Sequence, residues 1–116
     1  MAYDEELADR IRDLLGPLLA ETVEQKMFGG LAFLLGGHMS VAASGQGGLL
    51  VRVDPADAAE LIGPGVAPMV MGGRQMENWL RVDAARLTDD AVLREWIDRG
   101  VAYARSLPPK KPKKRS

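Results

Sequence analysis

By residue type, His38 is the best candidate for acid–base chemistry, because an imidazole titrates near neutral pH. It is the only histidine in the chain, and it follows a Gly36-Gly37 pair that is typical of a tight hairpin turn. The nearest carboxylates in sequence, Glu24 and Asp54, stand at no spacing typical of a catalytic pair. We therefore interpret His38 as a half-exposed turn residue. A zinc site, which needs three or four ligands, is not expected.

Two glycine-rich segments, Gly29-Gly30 and residues 45–48, raise the question of phosphate binding. Neither forms GxGxxG or GxxxxGK[ST] between a strand and a helix, so turn formation explains them. Ser40 and Ser44 lack the GxSxG pattern of a nucleophile elbow. The chain has no cysteine, which excludes thiolate metal sites, cysteine nucleophiles and disulfides. We therefore predict a protein that is not an enzyme, with no catalytic residue, metal or cofactor.

The methionines are more informative than the titratable groups. Three of the six lie close together around Gly72-Gly73, and flexible thioether side chains can line an adaptable binding surface. Trp is enriched at interface hot spots. The predicted interaction surface consists of Met69, Met71, Arg74, Met76 and Trp79. The alternative is that the methionines fill a core, and that Trp79 and Trp96 pack on opposite sides of one sheet.

The C-terminal end is strongly basic. Five of the 15 basic residues lie in the last seven positions: Lys110, Lys111, Lys113, Lys114 and Arg115. We expect this tail to be disordered, and to serve either solubility or weak attachment, without sequence preference, to nucleic acid or acidic surfaces. The rest of the chain has 10 basic and 16 acidic residues, a net charge near −6. Such a body repels phosphate unless arginines such as Arg52, Arg74 and Arg81 cluster on one face.

Length and composition indicate one soluble domain. The chain has 116 residues, of which 47% are hydrophobic and 27% charged, as in ordinary globular proteins. We place the domain at residues 1–109 and the tail at 110–116. No apolar run approaches the ~20 residues that span a bilayer, and the N-terminus is acidic where a signal peptide would be basic. We therefore expect a cytoplasmic protein that does not enter a membrane.

Apolar periodicity predicts the order of the elements. A first amphipathic helix breaks near Gly16, because the residue before proline is disfavoured in a helix. Three strands follow between residues 22 and 53, and the run 31–35 is apolar on both faces. A helix begins at Asp54-Pro55, one or two strands come next, and residues 88–90 cap a last helix. Short turns between strands favour an α+β domain with an antiparallel or mixed sheet covered by helices.

Three segments also carry a resemblance: KMFGGLAFLLGGHM at 26–39, GRQMENWLRVD at 73–83 and ARSLPP at 104–109. Together they resemble the N-terminal domain of the TfoX/Sxy family, over about residues 3–109. Members are known in bacteria as regulators of competence for DNA uptake. The resemblance implies an α-β(3)-α-β(2)-α domain, similar to secretion-chaperone-like folds. Competence regulators of the family usually carry a second, helical domain, and since this chain ends in a basic tail we expect a stand-alone N-terminal domain.

Two functions follow as hypotheses. The first, implied by the resemblance, is a small non-enzymatic regulatory domain that acts on transcription through a protein partner. The alternative is an accessory protein that associates with nucleic acid through its basic tail. Edge strands or the apolar stripe of a terminal helix could also pair two copies of the chain, so we expect a homodimer.

Overall fold

The computed structural model describes residues 4–27, 29–45, 47–71 and 73–107, without the side chains of Met27, Met71 and residues 74–77. Three α-helices and six strands lie within these ranges. Their order is α1 (Glu5–Leu15), β1 (Thr22–Met27), β2 (Gly30–Leu35), β3 (His38–Ala43), β4 (Leu49–Arg52), α2 (Pro55–Leu61), β5 (Val66–Met71), β6 (Arg74–Val82) and α3 (Asp90–Ser106). The α+β class is thereby confirmed.

The helices begin and end where the sequence predicts. Asp4 caps α1 by accepting hydrogen bonds from the backbone N–H groups of Glu6 and Leu7. The helix stops at Gly16, whose φ of 55° lies outside the helical region, and a 3₁₀ helix over Gly16–Glu21 follows. Asp54 caps α2 ahead of Pro55, and Asp89 caps α3. Each cap satisfies backbone donors that a helix start leaves free.

All six strands form one antiparallel sheet in the order β1-β2-β3-β4-β6-β5. Four strands precede α2, so the predicted count of three is corrected. β1 pairs with β2 along all six residues, and β4 pairs with β3 on one side and with β6 on the other. Both segments are therefore full members of the sheet, which raises the count to four. Gly36 and Gly37, with φ of 61° and 85°, form the β2–β3 turn, as a type I′ hairpin requires.

One side of the sheet packs against the helices. This helix-covered face carries Leu31, Phe33, Val41, Leu49 and Leu80, which share one buried cluster with the apolar residues of α1 and α3. The approach of α3 is close. A Cβ on Gly100 would lie 2.4 Å from the carbonyl oxygen of Ser40, so only glycine fits there.

An arginine joins α1 to the start of α3. The side chain of Arg10 donates hydrogen bonds to Asp90 Oδ1 at 2.7 and 3.0 Å and to the carbonyl oxygen of Leu87 at 2.6 Å. The sequence separation of 80 residues makes this a tertiary contact rather than a local one. It fixes the two helices relative to each other across the helix-covered face.

Candidate interaction surface

The opposite side of the sheet has a second, smaller apolar cluster. Its buried members are Ala32, Met39, Ala42, Leu50 and Met69, with the partly buried Leu34 and Trp79 packed against them. All seven lie on strands, whereas the first cluster includes residues of every α-helix. We call this side, defined by these seven residues, the open face.

The strand register explains why these residues meet. Ala32 pairs with Ala42, Ala42 with Leu50, and Leu50 with Arg81. Directly paired residues of an antiparallel sheet point to the same face, so this row crosses four strands on the open face. Trp79 lies two residues from Arg81 and points the same way. Apolar residues, two of them alanines, therefore line the centre of the open face. The indole of Trp79 and the guanidinium of Arg81 lie at one side of them.

Arg52 lies between the open face and α3. Its guanidinium carbon is 5.5 Å from the ring centroid of Trp79 and 5.4 Å from that of Tyr103, which belongs to α3. Both distances are typical of cation–π contacts. The Nε atom of Arg52 is buried and has no hydrogen-bond partner. The orientation of Trp79 thus depends on a cation that also contacts the helix layer.

The side chain of Arg81 is hydrogen-bonded to the β3–β4 loop. Its Nη1 atom donates to Ser44 Oγ at 3.0 Å and to the carbonyl oxygen of Gly47 at 3.2 Å. Since Arg52 stacks on aromatic rings and Arg81 holds the β3–β4 loop, both are engaged within the fold. The side chain of Arg74, the third arginine that such a patch would require, is outside the described groups.

The predicted surface residues share one hairpin. In the β5–β6 register Met69 pairs with Met76 and Met71 with Arg74, and Trp79 follows on β6. Met69 is only 4% exposed, so it supports the surface from below, while the partly exposed Trp79 is accessible to a partner. The side chains of Met71, Arg74 and Met76 lie outside the described groups.

Sequence reasoning did not connect Trp79 with strands β2 to β4. Adjacent apolar pairs give the signal that was available: Ala42-Ala43 and Leu49-Leu50 are apolar, and buried, at both positions, so these strands bury side chains on both faces of the sheet. The alternative placement of the tryptophans agrees with the structure in one respect. Trp79 packs on the open-face cluster and Trp96 on the other, so they lie on opposite sides of the sheet.

His38 lies at the start of β3, beside the Gly36-Gly37 turn, and is partly buried as predicted. Within the described ranges no group of three or more His, Cys, Asp or Glu residues could hold a metal ion. No helix in the same ranges combines the length and apolarity needed to cross a bilayer. The tail residues Lys110, Lys111, Lys113, Lys114 and Arg115 lie outside the described residues.

The pKa values that depart from their ordinary range belong to an ion pair away from the open face, between α1 and β1. Arg12 donates from Nε and Nη2 to the two carboxylate oxygens of Glu24, at 2.7 and 2.9 Å. Hydrogen bonding by this guanidinium lowers the pKa of the Glu24 carboxyl, and Glu24 in turn raises the pKa of Arg12. Arg12 also contacts Asp9 at 2.6 Å. The group joins the first helix to the edge of the sheet.

A groove of about 310 Å³ lies between α2 and α3, and its walls include Asp54, Asp57, Arg99 and Tyr103. The ring of Tyr103 also contacts Arg52. Arg52 therefore links the groove wall to Trp79. Carboxylates and a guanidinium line the groove together, and this mixed charge favours neither an anionic nor a cationic ligand.

Comparison with known proteins gives a family and no individual relative. No curated protein and no solved structure matches this chain. The family model of the TfoX N-terminal domain matches residues 13–104, a range that includes all six strands, α2 and most of α3. The chain therefore belongs to the TfoX N-terminal domain family.

Proposed function

We propose that this domain is a non-enzymatic interaction module of the cytoplasm that regulates transcription by binding a protein partner on the open face at Trp79. The observation that carries the proposal is a partly exposed indole on a sheet face whose described cluster contains strand residues only. Tryptophan is enriched among the residues that act as hot spots in protein interfaces.

The charged side chains described around Trp79 favour one kind of partner. Arg81 lies on the open face, and Arg52 contacts the indole ring. The carboxylate described on β1, Glu24, is directed to Arg12 of α1 and so lies on the helix-covered side. A partner segment that combines an apolar anchor with acidic residues would meet the indole together with two guanidinium groups that the fold already holds in place, Arg52 by two rings and Arg81 by the β3–β4 loop.

Family membership supports the regulatory part of the proposal. The TfoX/Sxy proteins that this chain resembles are regulators of competence, and the chain shares their N-terminal domain. A sheet face can bind a partner without any reacting group, so the proposal needs no catalytic residue.

Affinity capture from the native cells, after nuclease treatment, tests the proposal with a matched pair of variants. Trp79→Ala removes the open-face indole, and Trp96→Ala removes the tryptophan of the helix-covered side. We expect a transcription factor or polymerase subunit to bind the unmodified chain and Trp96→Ala. Binding of the purified partner to Trp79→Ala should be weaker by at least about tenfold. Circular dichroism checks that both variants are folded.

Two results would contradict the proposal. Equal binding of the partner by Trp79→Ala and Trp96→Ala, or equal loss from both while both are folded, would place the binding site elsewhere. Salt-sensitive DNA binding that disappears on deletion of residues 110–116, with no protein captured, would favour the nucleic-acid accessory instead. DNA binding that survives this deletion would require a phosphate-binding patch on the body itself.

A further inference from the structure

The two edges of the sheet differ in how they are protected against pairing. The outer strand β5 contains Pro68, and its ladder with β6 is irregular between Pro68 and Met69. Proline and irregular pairing are the features by which edge strands avoid adding another strand. The other outer strand, β1, has no proline and pairs regularly with β2 from Thr22 to Met27. Only β1 therefore offers a regular edge.

The central part of β1 is exposed. Residues 23–26 are all exposed, and the side chain of Val23 is 60% exposed. Since β1 pairs with β2 on one side only, alternate backbone N–H and C=O groups face solvent on the other side. Such a row binds another extended strand through main-chain hydrogen bonds.

We propose that β1 pairs antiparallel with β1 of a second copy, about a two-fold axis at Gln25. In this register Gln25 lies opposite Gln25 of the second copy, and Glu24 opposite Lys26 of the second copy. The axis makes each pair occur twice, so the dimer contains two Glu24–Lys26 pairs. The result is one continuous antiparallel sheet of twelve strands.

The charges of β1 select this register. An axis at Glu24 would set two carboxylates opposite each other, and an axis at Lys26 would set two ammonium groups opposite each other. Like charges directly opposite destabilise a strand pair, whereas opposite charges stabilise it. Lys26 makes no ion pair with any other described residue. Glu24 is held by Arg12, so its carboxylate is already ordered to receive a second cation.

The proposed geometry has a consequence for the open face. A two-fold axis that pairs two antiparallel edge strands runs perpendicular to the sheet. Both helix layers therefore lie on one side of the dimer, and both open faces lie together on the other. The dimer does not depend on Trp79, which lies on β6, separated from β1 by three strands. Self-association and partner binding can thus fail independently.

Charge reversal provides the first test, with sedimentation velocity over a range of concentrations as the measurement. Glu24→Lys and Lys26→Glu should each weaken the dimer by about tenfold or more, because both pairs become repulsive. A mixture of the two variants should restore dimers, which then contain one chain of each kind. Val70→Lys, on the β5 edge, should leave the dimer unchanged.

Cross-linking provides the second test, because the chain has no cysteine. Gln25→Cys should form a disulfide between copies, since directly opposite Cα atoms lie about 4.5–5.5 Å apart. Val23→Cys is the matched control: it lies about four residues from its counterpart, roughly 13 Å, and should cross-link poorly. A monomer at all concentrations would overturn the proposal. So would a dimer insensitive to both charge reversals, or equal cross-linking at the two positions.

Discussion

On one face of this sheet the strands pack against α1 and α3, and on the other face strand residues pack with one another. Phe33 and Leu49 of the helix-covered face belong to one buried cluster with aliphatic residues of all three α-helices. Leu50 on the open face has two alanines and two methionines as its buried companions. Methionine adapts its shape more readily than branched residues do. The comparison indicates that the first face specifies the fold and the second can adjust to a partner.

Adjacent leucines of β4 test this difference most directly. Leu49 is 0% exposed and Leu50 is 1% exposed, and they point to opposite faces. We expect Leu49→Ala to lower the free energy of unfolding by about 4 kcal/mol and Leu50→Ala by about 2–3 kcal/mol. The flexible methionines can move into the smaller cavity, whereas the helix-packed site cannot collapse.

Urea denaturation of both variants measures the difference. The slope with denaturant should stay unchanged in each, so that the shift in midpoint reports stability. A larger loss for Leu50→Ala than for Leu49→Ala would show that the open face is the more rigid of the two. The distinction between a structural and an adaptable face would then be wrong.

The local elements of this fold follow from the sequence, whereas the position of the interaction surface does so only in part. Asp4, Gly16 and Asp54-Pro55 mark helix ends by caps and backbone restrictions that act over a few residues. The pairing of β4 with β6 joins segments about thirty residues apart across α2. Such pairing depends on tertiary packing, and a local pattern in one sequence does not encode it.

The contact between α3 and β3 gives the next prediction. Gly100→Ala would place a Cβ 2.4 Å from the Ser40 oxygen and 2.9 Å from Val41 Cγ1. Because the nearest atom belongs to the backbone, the helix must move, and we expect a loss of about 2 kcal/mol despite the better helix propensity of alanine. Gly63→Ala is the control, since no atom lies within 4 Å of its Cβ position. Equal midpoints of thermal unfolding for the two variants would contradict close packing of α3 on the sheet.

The two described tryptophan–arginine contacts allow a finer comparison. Arg52 lies 5.5 Å from Trp79 and also contacts Tyr103, whereas the exposed Arg99 lies 5.7 Å from Trp96 alone. Arg52→Met should cost about 1–2 kcal/mol and Arg99→Met about 0.5 kcal/mol, because a cation between two rings is better desolvated.

Denaturation and tryptophan fluorescence check these values together. Arg52→Met should shift the emission of Trp79, and the double variant with Trp96→Phe isolates that signal. Equal costs for the two arginines would indicate that Arg52 does not hold the indole. From the sequence, Arg52, Arg74 and Arg81 could form a phosphate-binding patch only if they clustered on one face, and a single sequence does not reveal that Arg52 contacts two aromatic rings.

The smallest effect concerns the ion pair that ties the edge strand to α1. Arg12 lowers the pKa of Glu24 below its ordinary value of 4.5 in the folded chain, so the unfolded chain binds more protons as the pH falls past that value. The stabilisation is therefore complete above about pH 5 and is lost as the pH falls through the folded pKa. Because both side chains are about one-third exposed, we expect the pair to contribute about 0.5 kcal/mol to the free energy of unfolding at pH 7.

Glu24→Gln should remove this contribution and flatten the acid limb of the stability curve, whereas Asp13→Asn, which removes an equal charge from α1, should not. Stability measured from pH 7 down to pH 3 makes the comparison, and an unchanged acid limb in Glu24→Gln would show that the pair does not anchor β1.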